Sequence, residues 1–170
     1  MVKFKSNNIL LGDIVVMIGI ENIKDNNEKS RITNYILREL PEWFGIEESI
    51  VEYVEEVKQY DFYGVYNQEE VIGFISIKYN NKYTAEVYLI GVLKNYQNNH
   101  IGRRLIEVAE EVLIKNKIKF FMVKTLGESH PDENYKITRE FYKKLGFYPL
   151  EEIKEIWGES NPCLIMVKTL

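Results

Sequence analysis

The stretch from Val87 to Leu105 constrains this chain more than any other. The run Val87-Tyr88-Leu89-Ile90-Gly91-Val92-Leu93 is β-branched and aromatic, which predicts a strand. Polar residues from Lys94 to Asn99 break that pattern. Ile101, Leu105, Val108, Ala109, Val112 and Leu113 then recur at helical spacing to about Lys117. A strand, a short polar loop containing His100 and Gly102, and a helix entered by Arg103 and Arg104 together predict an anion site. The free N–H groups and the positive dipole end of the helix start converge there.

A second informative stretch lies about forty residues on. From Tyr135 to Leu145 the pattern is helical, with Ile137, Phe141 and Leu145 forming one apolar stripe at i, i+4 and i+8. Tyr135, Thr138 and Tyr142 occupy a separate face. Gly146 is placed as a left-handed C-terminal cap, and Phe147 opens the next strand.

The remaining elements follow from the same rules. A strand is expected around Val15–Ile20 and a helix over Glu28–Leu40, with Ile32, Ile36, Leu37 and Leu40 inward and Pro41 after its end. A second helix is expected over Glu47–Gln59, with Ile50, Val54 and Val57 inward. Asp61–Tyr66, Val71–Tyr79, Thr84–Leu93, Lys119–Leu126, Phe147–Ile156 and Leu164–Thr169 read as strands. Three antiparallel strands, a strand–helix–strand crossover, then a helix and a closing pair of strands predict an α+β fold. Its sheet is mixed but mostly antiparallel, with helices on both faces.

The loop Gln97-Asn98-Asn99-His100-Ile101-Gly102 resembles the pyrophosphate-binding loop of the GNAT N-acetyltransferases, whose pattern is Q/R-x-x-G-x-G/A. Gln97 and Gly102 match the first and last positions, while His100 stands where the family has glycine. The run Tyr142-Lys143-Lys144-Leu145-Gly146-Phe147 resembles the family's second signature, Y-x-x-x-G-F. The resemblance covers roughly Asp61 to Leu170 and implies a GNAT-like sheet splayed between its fourth and fifth strands, here Thr84–Leu93 and Lys119–Leu126.

It also implies a reaction: acetyl-CoA-dependent transfer of an acetyl group to a primary amine by direct attack in a ternary complex. The pyrophosphate would lie on the backbone from Gln97 through Asn98, Asn99, His100, Ile101 and Gly102 to Arg103. The N–H groups of Ile90 and Val92 would meet the thioester carbonyl and pantetheine, and Tyr142 would contact the CoA sulfur as general acid. Glu86 lies eleven positions before Gln97, the offset of the catalytic Glu in histone-acetyltransferase members, and is the expected base. His130 and solvent compete for that role. The acceptor walls would be Trp43-Phe44 and Trp157 to Pro162, with Glu42, Glu47 and Glu48 suiting a cationic amine. Trp43 and Phe44 read equally as residues closing the core under a loop. The alternative function is a non-catalytic acyl-CoA-binding module of the same fold.

Composition narrows the field. At 170 residues and 45% hydrophobic content the chain is expected to be a single domain, 1–170, with room for a full core. The resemblance does not require residues 1–16, which read as a dispensable leader with Met17 as another start. A net charge of −4 argues against nucleic acid, since phosphate backbones need a basic face. The apolar run Ile9 to Ile20 is too short to span a membrane, so no membrane partner is expected. Cys163 is the only cysteine, which suits a reducing, cytoplasmic setting, and two histidines with one cysteine predict no metal. The acceptor is expected to be a small molecule or a peptide, and a homodimer is admitted by this reading.

Overall fold

The computed structural model describes the backbone of residues 3–11 and 14–170, with side chains from Ile18 onward. It divides into two compact units, Met1–Ile77 with Leu89–Ala109, and Lys78–Tyr88 with Glu110–Leu170.

In the first unit, β1 (Lys3–Leu11) and β2 (Ile14–Asn22) form an antiparallel pair closed at Leu11↔Ile14. The strand expected around Val15–Ile20 lies within β2, and the segment read as a leader contains β1. Gly12 and Asp13 lie outside the described residues.

Helix α1 (Asn26–Arg38) begins where the Asp25 carboxylate accepts the Glu28 N–H at 2.8 Å. Its expected stripe is the buried one, with Ile32, Ile36 and Leu37 fully enclosed and Leu40 just beyond its end. Helix α2 (Glu47–Glu56) stops short of the expected Gln59, and residues 57–59 tighten into a 3-10 turn. The cause is the buried Lys29, whose Nζ donates to the carbonyls of Lys58 at 3.0 Å and Tyr60 at 2.7 Å and so terminates the segment.

Strands β3 (Asp61–Asn67) and β4 (Glu70–Tyr79) pair antiparallel, with the Phe62 and Phe74 rings stacked at 4.9 Å. Next to β4 lies β5 (Thr84–Val92), and the two approach closely at glycines. A Cβ on Gly73 would sit 2.8 Å from the Gly91 carbonyl, and one on Gly91 would sit 2.8 Å from Ile36 Cγ2. Neighbours in this unit run β1-β2-β3-β4-β5.

In the second unit, from the first half of β5 onward, neighbours run β5-β6-β8-β7. Helix α3 (Ile101–Lys115) forms the crossover to β6 (Phe120–Leu126), which pairs parallel with β5 from Thr84↔Phe120 to Val87↔Val123. That ladder uses four residues of each strand, whereas β5 runs on to Val92 and β6 to Leu126. Then come α4 (Glu133–Lys144), β7 (Tyr148–Ile153), α5 (Lys154–Trp157) and β8 (Cys163–Thr169). β8 is antiparallel to both β6 and β7. The sheet is mixed, mostly antiparallel, and parallel at β5–β6.

Two expectations in this unit need correction. The last-but-one strand ends at Ile153, not Ile156, because residues 154–157 close into a helical turn with Gly158 N–H on Lys154 O at 2.7 Å. In α4 the inward face is the one carrying Tyr142 and Arg139, both buried, while Ile137 is 64% exposed. Of the apolar stripe expected at i, i+4 and i+8, only Leu145 is buried. The arginine is enclosed because its Nη1 is satisfied by the carbonyls of Leu126 at 2.9 Å and Gly127 at 3.1 Å. Among the described residues no helix is long and apolar enough to cross a membrane.

Candidate functional site

The loop expected to meet an anion sits in the first unit, between the end of β5 and the start of α3. After Leu93, whose N–H reaches Ile72 O at 2.9 Å, a 3-10 turn over 94–96 leads into Gln97. Two residues then take left-handed backbone conformations, Asn98 at φ +62° and His100 at φ +61°. Asn tolerates that region, and glycine would occupy it freely. Successive residues of right- and left-handed conformation can point their N–H groups to one side as an anion-binding nest. Arg104 N–H makes the first helical bond, to His100 O at 3.0 Å. The N–H groups of Ile101, Gly102 and Arg103 precede it and have no carbonyl four residues back in the helix.

Side chains hold this loop in shape. Gln97 Nε2 donates to Val92 O at 3.0 Å, and Asn99 Nδ2 donates to Gln97 O at 2.8 Å. Gln97, expected at the phosphate, thus has its amide tied to the end of β5. Tyr96 braces the turn, accepting from Asn67 Nδ2 at 3.2 Å and donating to Glu70 at 2.9 Å. The two arginines differ: Arg103 is exposed, whereas Arg104 is half-buried and bound to Glu107 at 3.3 Å. His100 is exposed, and Ile90 and Val92 are half-buried on β5.

Tyr142, in the second unit, is fixed by the way α4 ends. Phe147 N–H returns to Tyr142 O at 3.1 Å and Gly146 N–H to Lys143 O at 3.0 Å, with Gly146 left-handed at φ +87°. These are the two bonds of a Schellman motif, and the Tyr142–Phe147 ring contact at 5.5 Å is its usual apolar clasp. Lys168 Nζ caps the same end, donating to Leu145 O at 2.8 Å and Glu110 at 2.6 Å. The Y-x-x-x-G-F pattern therefore encodes a helix terminus that locks the tyrosine in place. Burial, with Tyr135 nearby, pushes the Tyr142 phenol well above its usual range, so it stays protonated at neutral pH. Its hydroxyl takes no hydrogen bond among the described residues.

The two candidate bases have different surroundings within this unit. Glu86 is buried, and its carboxylate meets Lys124 Nζ at 3.2 Å and Asn80 Nδ2 at 3.2 Å. His130 lies in a braced loop. Gly127 N–H reaches Pro162 O at 2.7 Å, and Ser129 bonds Glu152. The His130 Nδ1 accepts the Asp132 N–H at 3.3 Å, which occupies the basic nitrogen of the neutral ring. Cys163 is fully buried, and burial pushes its thiol up to about 11.

The expected acceptor-facing acids in the first unit are largely neutralised. Glu42 pairs with Lys94 and Glu47 with Arg38 at 2.6 Å, which holds both carboxyls below their usual range. Phe44 packs edge-on to Tyr53 at 6.3 Å, so this aromatic pair closes the corner between α1 and α2.

The chain was compared with known proteins. Residues 30–147 match the model of the acetyltransferase (GNAT) family. An uncharacterized N-acetyltransferase of Chlorobaculum tepidum is 28% identical over 134 residues, 72% of this chain and 76% of that protein. The solved structure of an aminoglycoside 6'-acetyltransferase type Ii is 26% identical, with a TM-score of 0.67 over 88% of this chain and 96% of that one. A GNAT acetyltransferase from Elizabethkingia anophelis, solved with acetyl-CoA bound, has the same TM-score at 18% identity, over 90% of this chain and 98% of its own. With left-handed Asn98 and His100 ahead of α3, a tyrosine locked by Y-x-x-x-G-F and a family match over residues 30–147, the chain belongs to the GNAT acetyltransferase family.

Proposed function

We propose that this acyltransferase uses acetyl-CoA to acetylate a primary amine by direct attack in a ternary complex. The observation that carries the reading is the loop 97–103, whose left-handed Asn98 and His100 run into the start of α3. The backbone N–H groups from Asn98 to Arg103 would bind the pyrophosphate, with Arg103 adding charge at its edge. On β5, the N–H groups of Ile90 and Val92 would hold the pantetheine and polarise the thioester carbonyl. Tyr142, kept protonated by burial, would donate to the departing sulfur.

Cys163 supports direct attack over an acyl-enzyme route. A thiol that is fully enclosed and raised to about 11 supplies almost no thiolate at neutral pH. Glu86 is the proposed proton acceptor, directly or through water. The likeness to an aminoglycoside acetyltransferase supports an amine on a cationic small molecule as the acceptor. The chain's own net charge of −4 agrees with a cationic partner.

The test is a grid of initial rates against acetyl-CoA and amine. Intersecting lines are expected, and parallel lines would demonstrate an acyl-enzyme instead. In the same assay Glu86→Gln should flatten the acidic limb of the pH–rate profile, with activity recovering as pH approaches the amine's own pKa. His130→Ala should keep the limb; its loss only in that variant would transfer the role to His130.

His100→Gly should leave acetyl-CoA binding intact. It relieves a left-handed non-glycine residue, worth about 1 kcal/mol, against the extra entropy of glycine in the unfolded chain. Calorimetric titration should show affinity within a few-fold of wild type. A large loss would give the imidazole a binding role of its own.

A further inference from the structure

We propose that Lys124 is a positioning residue for this reaction: together with Asn80, its ammonium holds the Glu86 carboxylate in one orientation and offsets the loss of its hydration. This rests on the reading of Glu86 as the proton acceptor.

The sheet register brings the pair together. Glu86 on β5 is the partner of Met122 on β6, and Lys124 lies two residues further along, on the same face. Lys124 Nζ stands 3.2 Å from one carboxylate oxygen of Glu86 and 3.3 Å from the other, and Asn80 Nδ2 is 3.2 Å from the second. Asn80 is itself placed by the β4–β5 turn, its N–H on Thr84 O at 3.0 Å, and its amide touches Met122 Sδ at 3.4 Å. The carboxylate side chain is 6% exposed and the lysine 30%. A carboxylate so enclosed loses most of its hydration, which is costly unless a charged partner meets it. The half-exposed ammonium offsets that loss.

The other groups on this face do not replace Lys124. Cys163 on β8 remains a neutral thiol. Tyr88 follows Glu86 by two on β5, and the nearby Lys78 lies over its ring at 5.8 Å to the centroid. Among the hydrogen bonds and ion pairs described for Glu86, Lys124 supplies the only cation.

Removing that cation should make the carboxylate hold its proton to higher pH. Lys124→Met is therefore expected to move the acidic limb of kcat/KM upward by about one pH unit or more, leaving activity on the limb about tenfold lower and converging with wild type above it. Lys124→Arg, which keeps the charge, should restore the wild-type limb, and the KM for acetyl-CoA should stay within a few-fold throughout. Lys124→Gln serves if the methionine variant does not fold, and should show the same upward movement. Glu86→Gln is run beside them. If that variant keeps the limb, the reading of Glu86 as base fails and this inference falls with it. If Glu86→Gln loses the limb while Lys124→Met or Lys124→Gln leaves it where wild type has it, the base reading stands and the role given to Lys124 is wrong.

Discussion

Gly102→Val should weaken acetyl-CoA binding by about 10²-fold or more while leaving the fold intact. Gly102 is the second residue of α3 and half-buried, in the turn whose N–H groups precede the first helical bond at Arg104. A phosphate held by those N–H groups must approach the backbone closely, and a branched Cβ at that point takes its space. A hundredfold loss is about 2.7 kcal/mol, comparable to losing one or two charge-assisted hydrogen bonds. Valine costs a helix no more than glycine does, so the melting transition should survive. Calorimetric titration with CoA measures the loss directly. Unchanged affinity in a folded Gly102→Val protein would remove the phosphate from this loop.

The second large effect is expected at Tyr142. Tyr142→Phe should lower kcat by about 10²-fold or more and leave acetyl-CoA affinity within a few-fold, as removal of a single general acid does. The ring is clasped by Phe147 and Phe141, at 5.5 Å and 5.2 Å, and phenylalanine keeps those contacts. Since the hydroxyl takes no partner among the described residues, its loss leaves no orphaned donor or acceptor in the core. The raised phenol also means the hydroxyl stays protonated across the neutral range, so any basic limb there has another source. Comparable losses in binding and turnover would instead mark the hydroxyl as a packing group.

What the sequence encoded locally, the structure repeats. The inner face of α1, the left-handed Gly146 and the strand–loop–helix at 87–105 each follow from spacing within one element. His100 was legible as a departure from glycine, and its φ of +61° shows what the departure requires of the backbone. Features that depend on distant partners were not legible. The burial of Arg139 depends on the carbonyls of Leu126 and Gly127 beside it, which sequence spacing does not show. Glu86 reads as a free carboxylate until β6 pairs with β5 and brings Lys124 from 38 residues away. The acids around Trp43 read as an amine-binding wall until Arg38 and Lys94 neutralise two of them. In each case the missing information was tertiary, because a charge is assigned its role by the partner that meets it.

The most direct test of the account is thiol release from acetyl-CoA by the full chain, followed with a panel of primary amines that includes an aminoglycoside and a lysine peptide. The account predicts amine-dependent release matched one-for-one by an acetylated amine in the mass spectrum. Tight CoA binding with no amine-dependent release, and no acetylated product from any amine, would contradict it and leave an acyl-CoA-binding module in its place.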